Sequence, residues 1–205
     1  MIFYFIRYYS TDNKYNLNKN PRYKRQKENK MAIKELIIGG GCFWCTEAVF
    51  EVLKGVSDVE SGYANGQTLN PTYRDICTGE TGHAEVIKIT YDDNIITSDT
   101  LLDIFFVVHN PTTLNQQGAD RGTQYRSTIL YADEETKEAA QAALEAAQND
   151  YSDPIVTTIE PLDVYYPAEA YHQDYYRQNQ MQGYCMAVIP PKLTKLKAKF
   201  GKEMV

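Results

Sequence analysis

No apolar run in the 205-residue chain approaches the length of a membrane span, so no membrane partner is expected. Cysteine is sparse. Four thiols, at positions 42, 45, 77 and 185, are too few for the disulfide framework of a small secreted domain. Chemically active thiols in a reducing compartment are the expectation, and with them a cytoplasmic location. Positive charge is also short, because the net charge is -6, so nucleic acid is not the expected partner. The three histidines are scattered and Cys77 and Cys185 stand alone, which leaves a zinc module without its further ligands. Met1 to Ile6 is too short for a signal-peptide core and no small-residue cleavage site follows it. With 43% hydrophobic and 23% charged residues, the chain has enough apolar matter for one globular domain with an ample core.

The chain is organised around Gly39-Gly40-Gly41-Cys42-Phe43-Trp44-Cys45-Thr46-Glu47. The apolar run Leu36-Ile37-Ile38 leads in, and Ala48-Val49-Phe50 with Val52-Leu53 leads out, so the stretch reads as strand, glycine turn and helix start. Glycines permit a sharp reversal there. A thiol at a helix N-terminus meets unpaired amides and the positive end of the dipole, which predicts a lowered pKa and a ready nucleophile at Cys42. Phe43 and Trp44 are expected to wall an apolar pocket. Two other readings are open on this stretch alone: a buried, inert Cys42, and a general thiol-disulfide oxidoreductase using Cys42 with Cys45.

Residues 1–30 differ from the rest, being rich in Asn, Tyr, Lys and Arg with no hydrophobic period, and are expected to form a disordered extension. Residues 31–205 are the expected folded, catalytic domain. The pattern there predicts a strand over Ile33 to Ile38, a helix over Thr46 to Leu53 and a strand over Val56 to Tyr63. A proline turn with a short helix reaching Cys77 follows, with Cys77 buried, then a strand over Glu85 to Tyr91. Ser98-Asp99 is the expected cap of a helix ending before Pro111. A strand over Gln124 to Tyr131, an Asp133-capped helix over Glu134 to Ala147, an edge strand over Ile155 to Ile159 and a helix over Glu169 to Gln178 complete the order. Leu193, Leu196 and Phe200 mark a C-terminal docking helix. The fold class is α+β, a ferredoxin-like split βαβ sandwich with additional C-terminal helices and coil.

Two polar turns bring further chemistry. Gly79-Glu80-Thr81-Gly82-His83-Ala84-Glu85 delivers Glu85 to the mouth of a strand, and the stretch from Gly118 to Ser127 does the same for Asp120 and Tyr125. Tyr73 lies in the proline turn. A carboxyl enclosed by aromatics holds its proton and can act as a general acid, and phenols can donate to an oxygen that becomes negative. His172 is expected to be a packed helix residue.

Gly41-Cys42-Phe43-Trp44, Gly82-His83-Ala84-Glu85 and Gly122-Thr123-Gln124-Tyr125-Arg126-Ser127 resemble the peptide methionine sulfoxide reductase family, type A, over residues 33–191 in order and spacing. Two features depart from the common pattern: Asn110 stands where the family commonly has Asp, and Cys45 where many members have glycine. The resemblance implies reduction of the S epimer of methionine sulfoxide, free or in oxidised proteins. Cys42 would attack the sulfoxide sulfur, Glu85 would protonate its oxygen with help from Tyr73 and Tyr125, Phe43 and Trp44 would hold the methyl group, and Asp120 would orient the polar side. The Cys42 sulfenic acid would then close a disulfide that thioredoxin reduces, with no metal or organic cofactor. Cys45, three residues on, is the expected first partner, with Cys185, which resembles the family's recycling cysteine in a tail able to swing over the site, relaying outward. A monomer is expected.

Overall fold

Leu36 to Gly40 is covered on both faces, and this makes strand β1, Ile33–Gly40, the centre of the molecule. The computed structural model describes residues 32–205, so the extension expected over residues 1–30 lies outside the described residues. After β1 come α1 (Phe43–Phe50), β2 (Val56–Ala64), α2 (Tyr73–Cys77), β3 (Ala84–Asp92) and α3 (Ser98–Val108). Then follow β4 (Gln116–Gln117), β5 (Asp120–Arg121), β6 (Ser127–Tyr131), α4 (Glu134–Ala147), β7 (Thr158–Pro161), β8 (Tyr165–Pro167), α5 (Tyr175–Gln178) and α6 (Gly183–Phe200). Six strands form one sheet in the order β7-β6-β1-β3-β2-β8, and β4 pairs with β5 separately. Within the sheet only β6 and β7 run parallel; the other neighbours are antiparallel.

One hydrophobic cluster joins the sheet to the helices, with Leu36, Ile38, Ile87, Ile89 and Ile129 meeting Phe50, Leu101, Phe105 and Leu196. A smaller cluster of Ile37, Ala64, Ala84, Val86 and Leu130 lies under Leu162 and Tyr165. Alternation along β1 therefore sends Ile37 to one layer and Leu36 and Ile38 to the other. α1 is buried on nearly every side, with Phe43, Cys45, Thr46, Glu47, Ala48, Val49 and Phe50 all inside.

Several elements sit differently from their sequence patterns. α1 begins at Phe43 and ends at Phe50, because Cys42 serves as its N-cap residue, and Leu53 instead forms a bridge with Met204. The cap of α3 is Thr97, whose side chain accepts from the Thr100 amide, and not Ser98 or Asp99. Strand β6 starts only at Ser127, since Thr123–Tyr125 curls into a 3-10 turn, and the edge strand β7 is displaced to Thr158–Pro161. The single helix expected over Glu169 to Gln178 is broken into a 3-10 turn, Ala170–His172, and α5, because Asp174 is left-handed at a φ of 51°. Cys77, at the end of α2, is exposed and not buried. Two elements coincide with their patterns: the Asp133-capped α4, and a C-terminal helix that buries Leu196.

Candidate active site

The turn from β1 into α1 depends on two glycines. Gly41 has a φ of 96°, and a Cβ there would meet the Gln117 side chain at 2.6 Å; a Cβ on Gly39 would approach the Glu85 carbonyl oxygen at 2.8 Å. This close passage sets β3 against the start of α1. The Cys42 carbonyl accepts the amides of Cys45 at 3.0 Å and Thr46 at 3.4 Å, while the Phe43 amide donates to Glu85 Oε2 at 3.1 Å. The Phe43 amide of the helix start is thus engaged by a carboxyl, not by the thiol.

That arrangement corrects the expectation for Cys42. Burial pushes its thiol up, reinforced by its hydrogen bond with Cys45 and by the Glu85 carboxyl. Of the two thiols, Cys45 is the lower, because the neighbouring Cys42 keeps the shared proton, burial opposing, and Lys192 also favours its charge. The Glu85 carboxyl is 1% exposed, and burial raises it to about 8, against the Phe43 amide, which favours the charged form. Tyr73 and Tyr125 are half-buried, and both phenols are raised first by burial and next by Glu85, so both remain protonated donors facing that carboxyl. Asp120, in β5, accepts from the Tyr184 hydroxyl at 2.6 Å, and the same hydroxyl lies 3.7 Å from Cys45 Sγ.

The aromatic residues form a cluster larger than the pair expected. Phe43 is fully buried and packs on Tyr73 (6.3 Å between centroids) and His172 (5.2 Å). Trp44 is half-buried, stacks on Tyr175 at 3.7 Å, and its indole N–H donates to His172 Nδ1 at 3.1 Å. His172 is packed inside, as its sequence context predicts, yet its ring is an acceptor that orients the indole. Cys185 is wholly buried in the first turn of α6, its thiol donating to Gln182 Oε1 at 3.6 Å. It belongs to a helix and not to a swinging tail, and burial raises its pKa. Beside the thiols lies a cavity of about 230 Å³ lined by Gly40, Cys42, Cys45, Asp120, Tyr184 and Lys192, among others.

The site residues expected from the sequence therefore gather near the start of α1, except Cys185, which lies in the same hydrophobic cluster as Cys45 and within its electrostatic reach. Glu47, Glu169, Tyr175, Tyr184 and Lys192 were not foreseen. Tyr184 had one legible signal, its place beside Cys185; the others come together only through the C-terminal segment. Among the described residues, no group of three His, Cys, Asp or Glu side chains is placed to hold a metal ion, and no helix is long and apolar enough to cross a membrane.

A buried dithiol beside a proton-bearing carboxyl is the equipment of a cysteine-dependent oxidoreductase. The sequence profile of the family described as peptide methionine sulfoxide reductase matches residues 34–204. The peptide methionine sulfoxide reductase MsrA of Acinetobacter baumannii (strain AYE) is 53% identical over 172 residues, spanning 84% of this chain and 99% of that protein. The crystal structure of Mxr1 from Saccharomyces cerevisiae in reduced form superposes with a TM-score of 0.71 at 36% identity, covering 75% of this chain and 89% of that one. Mxr1 in complex with Trx2 superposes at 0.51 with 27% identity, covering 70% and 84%. The chain belongs to the peptide methionine sulfoxide reductase family. It is an enzyme that reduces methionine sulfoxide with thiols, and its mixed α/β fold is the one these structures share.

Proposed function

We propose that Cys42 attacks the sulfur of the S epimer of methionine sulfoxide, free or in oxidised proteins, while Glu85 delivers a proton to the oxygen. The observation that carries this reading is the buried Glu85 carboxyl, held on the Phe43 amide beside Cys42 and within electrostatic reach of that thiol and of the Tyr73 and Tyr125 phenols. Protonation makes the sulfoxide sulfur electrophilic, and the two phenols donate to the same oxygen as it gains negative charge. A neutral Glu85 also removes the charge that opposes ionisation of Cys42. Phe43 and Trp44 hold the methyl group, and Asp120, fixed by Tyr184, orients the polar side. Oxygen passes to Cys42, which becomes a sulfenic acid as methionine leaves.

Cys45 then closes the disulfide, supported by its place beside Cys42 in the wall of the same cavity, and Cys185 relays it outward to thioredoxin. The yeast complex with Trx2 supports that partner. The chemistry needs no metal or organic cofactor. The strand order β6-β1-β3-β2 with α1 and α3 as crossovers supports a ferredoxin-like split βαβ description, carried by residues 31–205 as one catalytic domain. A monomeric repair enzyme of the cytoplasm fits the composition. The test is methionine formation from separated epimers with dithiothreitol as reductant: the S epimer is consumed and the R epimer is not. Equal turnover of both removes the proposed site geometry.

A further inference from the structure

The cavity beside the thiols has one feature the reaction above leaves unused. Among its lining residues Lys192 is the sole cation, and it faces Cys42, Cys45, Asp120 and Tyr184. Its ammonium does not float. Nζ donates to the Val108 carbonyl at 2.9 Å, the last residue of α3, where helix carbonyls lack intrahelical partners and the dipole is negative. No ion pair within 4 Å joins Lys192 to a carboxylate among the described residues. Asp120, the acid in the same cavity, is already engaged by the Tyr184 hydroxyl. The charge of Lys192 is therefore anchored by a helix end and left available to the thiols.

We propose that Lys192 is a positioning residue of the disulfide-forming step, its half-buried ammonium holding Cys45 as the thiolate that attacks the Cys42 sulfenic acid. This rests on Cys45 as the first partner of Cys42. In that step the Cys45 thiolate displaces hydroxide from the Cys42 sulfur. The S–S bond forms as the S–O bond breaks, Cys45 is oxidised while the sulfenic sulfur is reduced, and hydroxide takes up the proton Cys45 had surrendered and leaves as water. The groups that set the balance around Cys45 are Cys42 on its own helix, Asp120 on β5, Glu85 on β3, and Tyr184, Cys185 and Lys192 on α6. Burial lowers the Lys192 pKa, Cys45, Cys42 and Asp120 act to raise it and Lys195 to lower it, while burial keeps His109 neutral by lowering it to about 3. Lys192 is thus the cation in this set that favours a thiolate.

The experiment loads wild type, Lys192→Met and Lys192→Arg with one equivalent of methionine S-sulfoxide and quenches at intervals from pH 6 to pH 10. Methionine is counted, sulfenic acid is trapped with dimedone, and the disulfide is mapped by peptide mass spectrometry. In Lys192→Met, conversion of sulfenic acid to the Cys42–Cys45 disulfide slows about tenfold relative to methionine formation at pH 7, and the deficit closes as pH rises and Cys45 ionises unaided. Lys192→Arg, which keeps the charge, restores most of the rate; a merely structural lysine would give neither the pH recovery nor the rescue. A disulfide step in Lys192→Met with the wild-type rate and pH profile overturns the proposal. A wild-type disulfide that maps to Cys42–Cys185 instead overturns the choice of Cys45 itself, and the peptide map separates the two failures.

Discussion

Two glutamates serve α1, Glu85 from β3 and Glu47 from within the helix, and their surroundings differ in a telling way. Glu85 and Glu47 are each 1% exposed. Glu85 receives one amide, that of Phe43 at 3.1 Å. Glu47 receives three donors: Ser61 Oγ at 3.3 Å and the amides of Asp174 and Tyr175 at 3.0 Å each. Burial raises both carboxyls, Glu85 to about 8 and Glu47 to about 7, and the order follows the number of donors that favour the charged form. One carboxyl is left with a proton to give. The other is a clasp that holds the segment carrying Tyr175 against Trp44. Burial thus serves chemistry at the start of the helix and architecture within it.

Removing the proton at Glu85 is the harshest way to test that division. Glu85→Gln slows sulfenic acid formation by about 10²–10⁴-fold, the usual worth of general acid catalysis, with substrate binding nearly intact in single-turnover kinetics. A rate near wild type would assign the proton to another group. Glu47→Ala leaves two part-buried amides and a buried hydroxyl without their acceptor, so urea unfolding should show a loss of about 2 kcal/mol, with methionine formation still dependent on Glu85. Should Glu47→Ala instead abolish chemistry without loss of stability, the two glutamates would not divide the roles as described. The mildest test is pH. Methionine formation in a single turnover falls as pH rises through about 8, up to tenfold per unit, because Glu85 loses its proton there. Stability carries the same sign. A carboxyl raised from 4.5 to about 8 contributes stability that is fully present below about 4.5 and is lost as pH rises towards about 8, and Glu85→Gln should remove part of that decline.

The sequence was a good guide wherever one local pattern decided the outcome. The Asp133 cap and the alanine-rich run after it mark α4 residue for residue, and the glycines before Cys42 mark the turn that gathers the site. It failed where a distant partner decided. A helix N-terminus predicts an acidified Cys42, but Glu85, 42 positions away, takes the Phe43 amide and leaves the thiol buried. The break at Asp174 has the same origin: Glu47 captures the Asp174 and Tyr175 amides from another helix, and no local propensity records that. Lys192 reads as one more lysine on a basic helix face, and only the packing of α6 against Val108 turns it inward.

Trp44 is the single tryptophan of the chain, and it lies face to face with Tyr175 at 3.7 Å and 7°. The indole fluorescence of the protein therefore comes from one residue, two positions after Cys42 and tied to His172. Any lifting of the Tyr175 segment, arrival of a substrate methyl group or closing of a bridge at Cys45 alters the environment of that indole. The enzyme carries its own optical gauge, and each step of its cycle can be followed in real time without a label.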